Sequence, residues 1–327
     1  MNSYSAFVPP PGCYTVFGAT GLAGSHALLR LKDAAGVKVR AVANRRSRRV
    51  SASNIEYVRA DARDASQLAD LVADSDYVLM LAGILATSPV LKRDPVGPVF
   101  DNLRIAVNCL EAAYRAGARK FIWLSSTTGY PESEQSLAEE RMFEGEPPTG
   151  WGGIGWTTRY LEKMSRLFAE EFPRKMTVVA LRPTMMYGEF DHFDDDTAHF
   201  LPALIRRVVM REAPIEVWGD GTQERDVIYA GDVADAMISA LMRVDGFANF
   251  NIAAGATYSV NEVLAQIVRI DGYLDAPIVH LDSKTVGASQ RSFSNNKAKA
   301  MLDLPAPTSL SEGLERTIRW YRGAYVR

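Results

Sequence analysis

Two hydrophobic rhythms alternate along the first part of the chain. Short runs of apolar, β-branched and aromatic residues occur at positions 13–17, 37–42, 77–81, 120–124 and 177–181. Between them, at 22–32, 66–73, 102–116 and 155–171, apolar residues return every three or four positions. The first kind of run predicts strands and the second predicts amphipathic helices. Most of the strand runs are apolar on successive residues, so both faces of their sheet should be covered. That combination predicts an α/β chain, with a parallel sheet doubly wound by helices. Beyond about residue 184 the rhythm becomes irregular, with acidic and proline-containing loops, and a smaller C-terminal part is expected there.

Composition narrows the class without changing it. The 327 residues are 47% apolar and 23% charged, as in an ordinary globular protein with a substantial core. The net charge of −2 gives no pull toward nucleic acid or an anionic membrane, and neither partner is expected. Cys13 and Cys109 are the only cysteines. They form no disulfide framework and suit a reducing cytosol, so a cytoplasmic location is expected. The first 12 residues lack a basic stretch followed by an apolar run, unlike a signal peptide. The longest apolar stretch, 77–86, is too short to span a bilayer. No spacing of His, Cys and carboxylates suggests a metal.

The segment Val16-Phe17-Gly18-Ala19-Thr20-Gly21-Leu22-Ala23-Gly24 joins the first strand run to the first helical stretch. In isolation a glycine triplet means only a tight turn. Between the first strand and first helix of an α/β chain it has a sharper meaning. Glycines there let the chain turn, let backbone approach a pyrophosphate, and let the helix N-terminus present free N–H groups to phosphate. The reading is a Rossmann-type dinucleotide site formed by Gly18, Thr20, Gly21, Leu22, Ala23 and Gly24. Residues 1–183 and 226–254 are assigned to that domain, and 184–225 and 255–327 to a substrate part. The second strand is expected to end at Asn44, followed by Arg45 and Arg46. Arginine at this point accommodates a 2′-phosphate, which favours NADP, with NAD as the alternative cofactor. A solvated basic loop is the other reading. Asp61 and Ala62 follow the third strand, where an aspartate can accept from the adenine amino group. Ala82 and Gly83 end the fourth, where small residues let backbone pass the cofactor.

Further motifs follow in order. They are Leu124-Ser125-Ser126-Thr127-Thr128-Gly129-Tyr130-Pro131, then Arg182-Pro183-Thr184-Met185-Met186-Tyr187-Gly188, then Asp191-His192-Phe193 with His199 and the run to Arg207. Val217-Trp218-Gly219-Asp220-Gly221 and Arg225-Asp226-Val227-Ile228-Tyr229 come next. Together with the glycine loop, they resemble the extended short-chain dehydrogenase/reductase family of NAD-dependent epimerases and dehydratases. Within it the likeness is to GDP-fucose synthase-like nucleotide-sugar enzymes, over nearly the whole chain. The resemblance implies a nucleotide-sugar substrate, with GDP as its suggested nucleotide. It places Pro183 beside the nicotinamide, Ser126 and His199 at the reacting sugar, and Arg225 at the diphosphate, although a histidine beside Phe200-Leu201-Pro202 can equally be a packing residue and each arginine an ordinary surface one. Arg207 and Arg291 are further candidate clamps, because arginine forks match phosphate geometry. Trp218 is a candidate neighbour of the nucleotide, although a tryptophan can equally be packed for its own sake. Relatives also pair the helices at 102–116 and 155–171 with those of a second copy, so a homodimer is expected.

The resemblance breaks at one place. The family carries a tyrosine and a lysine four residues apart on one helix face, the lysine lowering the phenol's pKa and the phenol exchanging a proton with the sugar. The matching stretch here is Ile154-Gly155-Trp156-Thr157-Thr158. Ile154 and Thr158 therefore replace the pair. Tyr160 and Lys163 lie nearby, but they are three residues apart. At about 100° per helical residue, Tyr160 sits roughly 120° around from position 154, which makes both structural or surface residues. Thr128 stands where the synthases have a cysteine. Two readings remain open: an epimerase, reductase or dehydratase with a rearranged relay through Ser126, Thr128 and His199, or a binding protein without turnover. Glu189, His192 and the acidic run at 194–196 are expected to form a mobile loop over the sugar, although the run itself reads more readily as a solvated acidic loop.

Overall fold

A computed structural model describes residues 7–194, 197–281 and 292–326. The chain runs β1 (Gly12–Phe17), α1 (Leu22–Leu31), β2 (Val37–Ala43), β3 (Ile55–Arg59), α2 (Leu68–Val72), β4 (Tyr77–Met80), α3 (Ser88–Arg93), α4 (Gly97–Ala116) and β5 (Lys120–Leu124). It continues with α5 (Gly152–Glu170), β6 (Thr177–Pro183), β7 (Met185–Tyr187), α6 (Phe200–Val209), β8 (Ile215–Trp218), β9 (Glu224–Tyr229), α7 (Ala230–Arg243) and β10 (Phe247–Ile252). It closes with β11 (Thr257–Ser259), α8 (Val260–Asp271), β12 (Ile278–Leu281), α9 (Asn296–Leu302) and α10 (Leu310–Tyr325).

Seven strands form one sheet in the order β10-β6-β5-β4-β1-β2-β3, every pair parallel. This is the doubly wound Rossmann-type sheet that the alternating rhythm predicts. Strand side chains alternate between faces. Val16, Leu79, Ile122, Val179 and Leu181 enter the core shared with α1 and α7. Phe17, Val78, Phe121, Trp123, Val178 and Ala180 enter the core shared with α2, α4 and α5. Strand order reverses between β1 and β4, which opens a crevice at their carboxyl ends, where open α/β sheets bind ligands.

Three helical segments differ from expectation by more than one residue. Helix α4 begins at Gly97, five residues before position 102, because Pro98 fits a first helical turn and Asp94 Oδ1 accepts from the Val96 and Gly97 amides at 3.1 and 2.8 Å. Helix α5 begins at Gly152 rather than 155. The stretch at 66–73 divides into a 3-10 turn, Ala65–Gln67, capped by Asp64, and the short α2. Outside the large sheet, β7, β9 and β11 form a three-stranded sheet, and β8 pairs with β12. A third core gathers Tyr187, Leu204, Ile205, Val217, Val263, Ile267, Leu314 and Ile318 from β7, α6, β8, α8 and α10.

Candidate active site

The glycine loop is built for close approach. Gly18 has φ +75°, and a Cβ there would lie 2.6 Å from the backbone of Leu81 and Ala82. A Cβ on Gly24 would overlap the Gly18 carbonyl oxygen. Gly21 caps α1 and donates its N–H to Gly18 O at 3.0 Å, while Ala19 N–H reaches Val42 O at 3.1 Å. Thr20 is buried beside them. Leu22, Ala23 and Gly24 form the first turn of α1, whose N–H groups have no acceptor within the helix. Side chains are thus excluded where a pyrophosphate would need backbone donors, and the residues fit a dinucleotide.

At the ends of β2 and β3 the polar groups interlock. Asn44, Arg45 and Arg46 are exposed, and the Asn44 side chain bonds Asp61. Arg63 grips the Asp61 carboxylate through Nε at 3.0 Å and Nη2 at 2.6 Å, and reaches Asp101 on α4 at 2.9 Å. Hydrogen bonds from Arg63 hold the Asp61 carboxyl down to about 2. Asp61 therefore stays ionised and acceptor-only, with its orientation fixed. Arg63 escaped the sequence reading, although its two-residue spacing from Asp61 was visible. Asn108 donates to the carbonyls of Ala62 and Arg63, and Asn102 clamps the Ile84 backbone beyond Ala82 and Gly83. Pro183 is buried at the end of β6.

Ser126 and Thr128 share a hydrogen bond between their hydroxyls at 2.8 Å, and Ser126 Oγ also accepts from Thr128 N–H. This turn is pressed onto the start of α5. A Cβ on Gly155 would lie 2.8 Å from Thr128 O, and Arg159 donates to Gly129 O at 2.7 Å. Ile154 and Thr158 occur one helical turn apart at this contact. The Thr158 hydroxyl is spent on Ile154 O at 2.8 Å, so its single proton stays within the helix. Tyr160 is 53% exposed, and Lys163 sits over the Phe143 ring.

Beneath the serine turn lies a buried polar network. Ser125 Oγ donates to Glu162 Oε1 at 2.5 Å, and Arg182 reaches both carboxylate oxygens of Glu162, at 2.8 and 2.5 Å. Arg182 Nη1 also donates to Tyr130 OH and Glu139 O, and Tyr130 OH donates to Asn251 Oδ1. Burial opposes the Arg182 charge, but hydrogen bonding and attraction to Glu162 more than offset it and raise its pKa.

The substrate-side residues lie on other elements. His199 precedes α6, and burial keeps its imidazole below the ordinary range. His192 Nδ1 meets Arg46 Nη2 at 3.1 Å, and its Nε2 meets Thr197 Oγ1. In the expected loop over the sugar, Glu189 accepts from Tyr229 OH at 2.7 Å and lies 3.6 Å from buried His26, and Phe193 packs on Trp320 and Tyr321. Asp194 ends the described stretch, and 195–196 lie outside the described residues. Arg207 donates to Glu216 O at 2.6 Å, and Arg225 to Glu224 O at 2.7 Å; burial lowers the Arg225 pKa. Trp218, at the end of β8, is 39% exposed. Arg291 lies outside the described residues. Asp226, beside Arg225, accepts from Thr184 Oγ1 and from the Ala254 and Gly255 amides, and so ties β9 to the ends of β6 and β10. Among the described residues no group of three His, Cys, Asp or Glu side chains could hold a metal ion, and no helix is long and apolar enough to cross a membrane.

The chain is similar to several known proteins. The NAD dependent epimerase/dehydratase family matches residues 14–253. A GDP-L-fucose synthase of Sinorhizobium fredii is 29% identical over 246 residues, covering 72% of this chain and 74% of the relative. A dTDP-4-dehydro-6-deoxy-D-allose reductase of a Streptomyces species is 28% identical over 319 residues, covering 94% and 95%. The solved structure of MoeE5 with UDP-glucuronic acid and NAD superposes with a TM-score of 0.81 at 28% identity, covering 96% of this chain and 100% of that one.

Proposed function

The chain belongs to the NAD-dependent epimerase/dehydratase family, and from that premise we propose that it is an enzyme acting on a nucleotide sugar with a relay centred on His199 and Ser126. What supports this reading is an intact dinucleotide cradle together with a half-buried histidine, His199, that can carry a proton near the site. Gly18, Thr20, Gly21, Leu22, Ala23 and Gly24 would hold the pyrophosphate, Asp61 and Ala62 the adenine, and Ala82, Gly83 and Pro183 the nicotinamide side. When bound, the nicotinamide supplies hydride exchange with the sugar. Ser126 orients the reacting oxygen, and His199 takes or returns its proton. Arg225, Arg207 and Arg291 are the proposed diphosphate contacts, with Trp218 beside the nucleotide and GDP the favoured nucleotide. Residues 184–225 and 255–327 would carry this substrate side. Turnover of a nucleotide sugar by the purified protein, followed by mass spectrometry, tests the proposal. A second reading, a binding protein without turnover, draws on Thr158, whose hydroxyl is tied to its own helix.

The cofactor preference follows from Asn44, Arg45 and Arg46, where no acidic side chain stands to hold a ribose 2′-hydroxyl. NADPH is expected to bind more tightly than NADH. Arg45→Ala with Arg46→Ala should weaken NADPH alone, by about 10- to 100-fold, the worth of a charge-assisted hydrogen bond. Calorimetry giving tighter NADH binding to the unaltered protein would sink the preference.

Assembly follows from α4 and α5. Phe100 and Val107 on α4, and Trp156 and Tyr160 on α5, are large apolar side chains left exposed. Paired with the same helices of a second copy they would be covered. A homodimer is therefore expected, and sedimentation showing only monomer at micromolar concentration would count against it. The free thiols Cys13 and Cys109 suit the cytosol proposed as its location.

A further inference from the structure

Arg46 stands between the two halves of the site. It follows β2 in the exposed basic loop, yet its guanidinium reaches across to His192, Nη2 to Nδ1, at 3.1 Å. Arginine can only donate, so His192 Nδ1 carries no proton and Nε2–H points at Thr197 Oγ1. The contact therefore sets both the tautomer and the orientation of the ring. Arg49, from the same loop, donates to Phe190 O at 3.2 Å and lies 6.0 Å from the Phe190 and Trp320 ring centres. The His192 amide is held by Asp191 Oδ1 at 2.7 Å. Two arginines of one loop thus grip the stretch 190–192.

A guanidinium has five N–H donors, and a bidentate phosphate contact uses two of them. Arg46 can hold a phosphate and His192 together. We propose that Arg46 is a shared positioning residue, through which the cofactor's 2′-phosphate fixes His192 and its neighbours at 190–193. This rests on the NADP reading above. A phosphate on Arg46 restrains the guanidinium, and a restrained guanidinium restrains His192. By linkage the effect is reciprocal: losing His192 must weaken binding of the 2′-phosphate by the same factor. His192 is assigned no cofactor contact of its own, so a merely structural role would not discriminate between ligands with and without that phosphate.

The test uses the full chain with adenosine 2′,5′-bisphosphate and 5′-AMP, each at saturation. Hydrogen exchange is followed at the amides of residues 190–193, and affinity is measured by calorimetry. The bisphosphate should slow exchange there by about 2- to 10-fold, the worth of one hydrogen bond, and AMP should not. Arg46→Ala should remove the slowing, whereas Arg45→Ala, once saturated, should keep it. His192→Ala should weaken the bisphosphate by the same factor and leave AMP unchanged. If the bisphosphate binds more tightly than AMP but exchange is equal in the two complexes, or the slowing survives Arg46→Ala, the coupling is wrong and the NADP reading stands. If the bisphosphate binds no more tightly than AMP, both fall together.

Discussion

His199→Ala is expected to lower turnover by about 10²- to 10⁴-fold, the usual worth of general acid–base assistance, with cofactor and nucleotide-sugar affinity nearly unchanged. The size follows from what the rest of the site lacks. Ile154 cannot ionise, and the Thr158 proton is committed to the Ile154 carbonyl. Ser126 and Thr128 share a hydrogen bond, and neither hydroxyl ionises readily. His199 titrates closest to neutrality among these groups. Burial holds its pKa below the ordinary value, so it is neutral at pH 7 and free to act as a base, though a weaker one than an unburied imidazole. Activity should then fall as pH drops through that lowered pKa, because the imidazole becomes charged and can no longer act as base. Ile154→Ala should leave the chemical step nearly unaltered. Comparing kcat with calorimetric affinities separates these outcomes. Full activity in His199→Ala would move the proton to Thr128, His192 or Glu189.

The second large effect is on stability. Arg182 is fully buried and Glu162 almost so, with side-chain exposures of 0% and 1%. Removing either partner strands a charge away from water, which typically costs about 3–5 kcal/mol. Glu162→Ala and Arg182→Ala are each expected to lower the urea midpoint by a corresponding amount. A paired replacement, Glu162→Leu with Arg182→Met, should cost far less than the two singles combined, because no charge is left behind. The damage should also reach the site, since Ser125, which donates to Glu162, immediately precedes Ser126. Single variants that unfold within about 1 kcal/mol of the unaltered protein would show that the pair is not worth what its burial implies.

The sheet was legible because its strands are covered on both faces, which leaves runs such as Tyr77-Val78-Leu79-Met80 with no polar alternation. The glycine loop was legible because Gly18 and Gly24 meet backbone, where no side chain could be substituted. Features fixed by distant contacts were not. Glu162 reads as a solvated position on an amphipathic helix, and only the arrival of β6 beneath it reveals Arg182 as its partner. Asp61 reads as an open acceptor until Arg63 folds back on it. Phe190 adopts φ +70°, a conformation that favours glycine, and is held there by His26 and Trp320, and no local pattern announces that. The same limit applies to chemistry. Ser126 and Thr128 fall together on one turn as their spacing suggests, whereas the link from Arg46 to His192 joins residues 146 positions apart.

The most direct measurement of the central claim is turnover itself. Purified protein is incubated with a panel of GDP-, UDP- and dTDP-sugars, with and without NADPH or NADP, and products are followed by mass spectrometry. Conversion of at least one nucleotide sugar, abolished in His199→Ala, is the expected result. If several nucleotide sugars bind and none is altered under any cofactor condition, the account of an enzyme with a rearranged relay is contradicted, and the chain is a binding protein on an enzyme's fold.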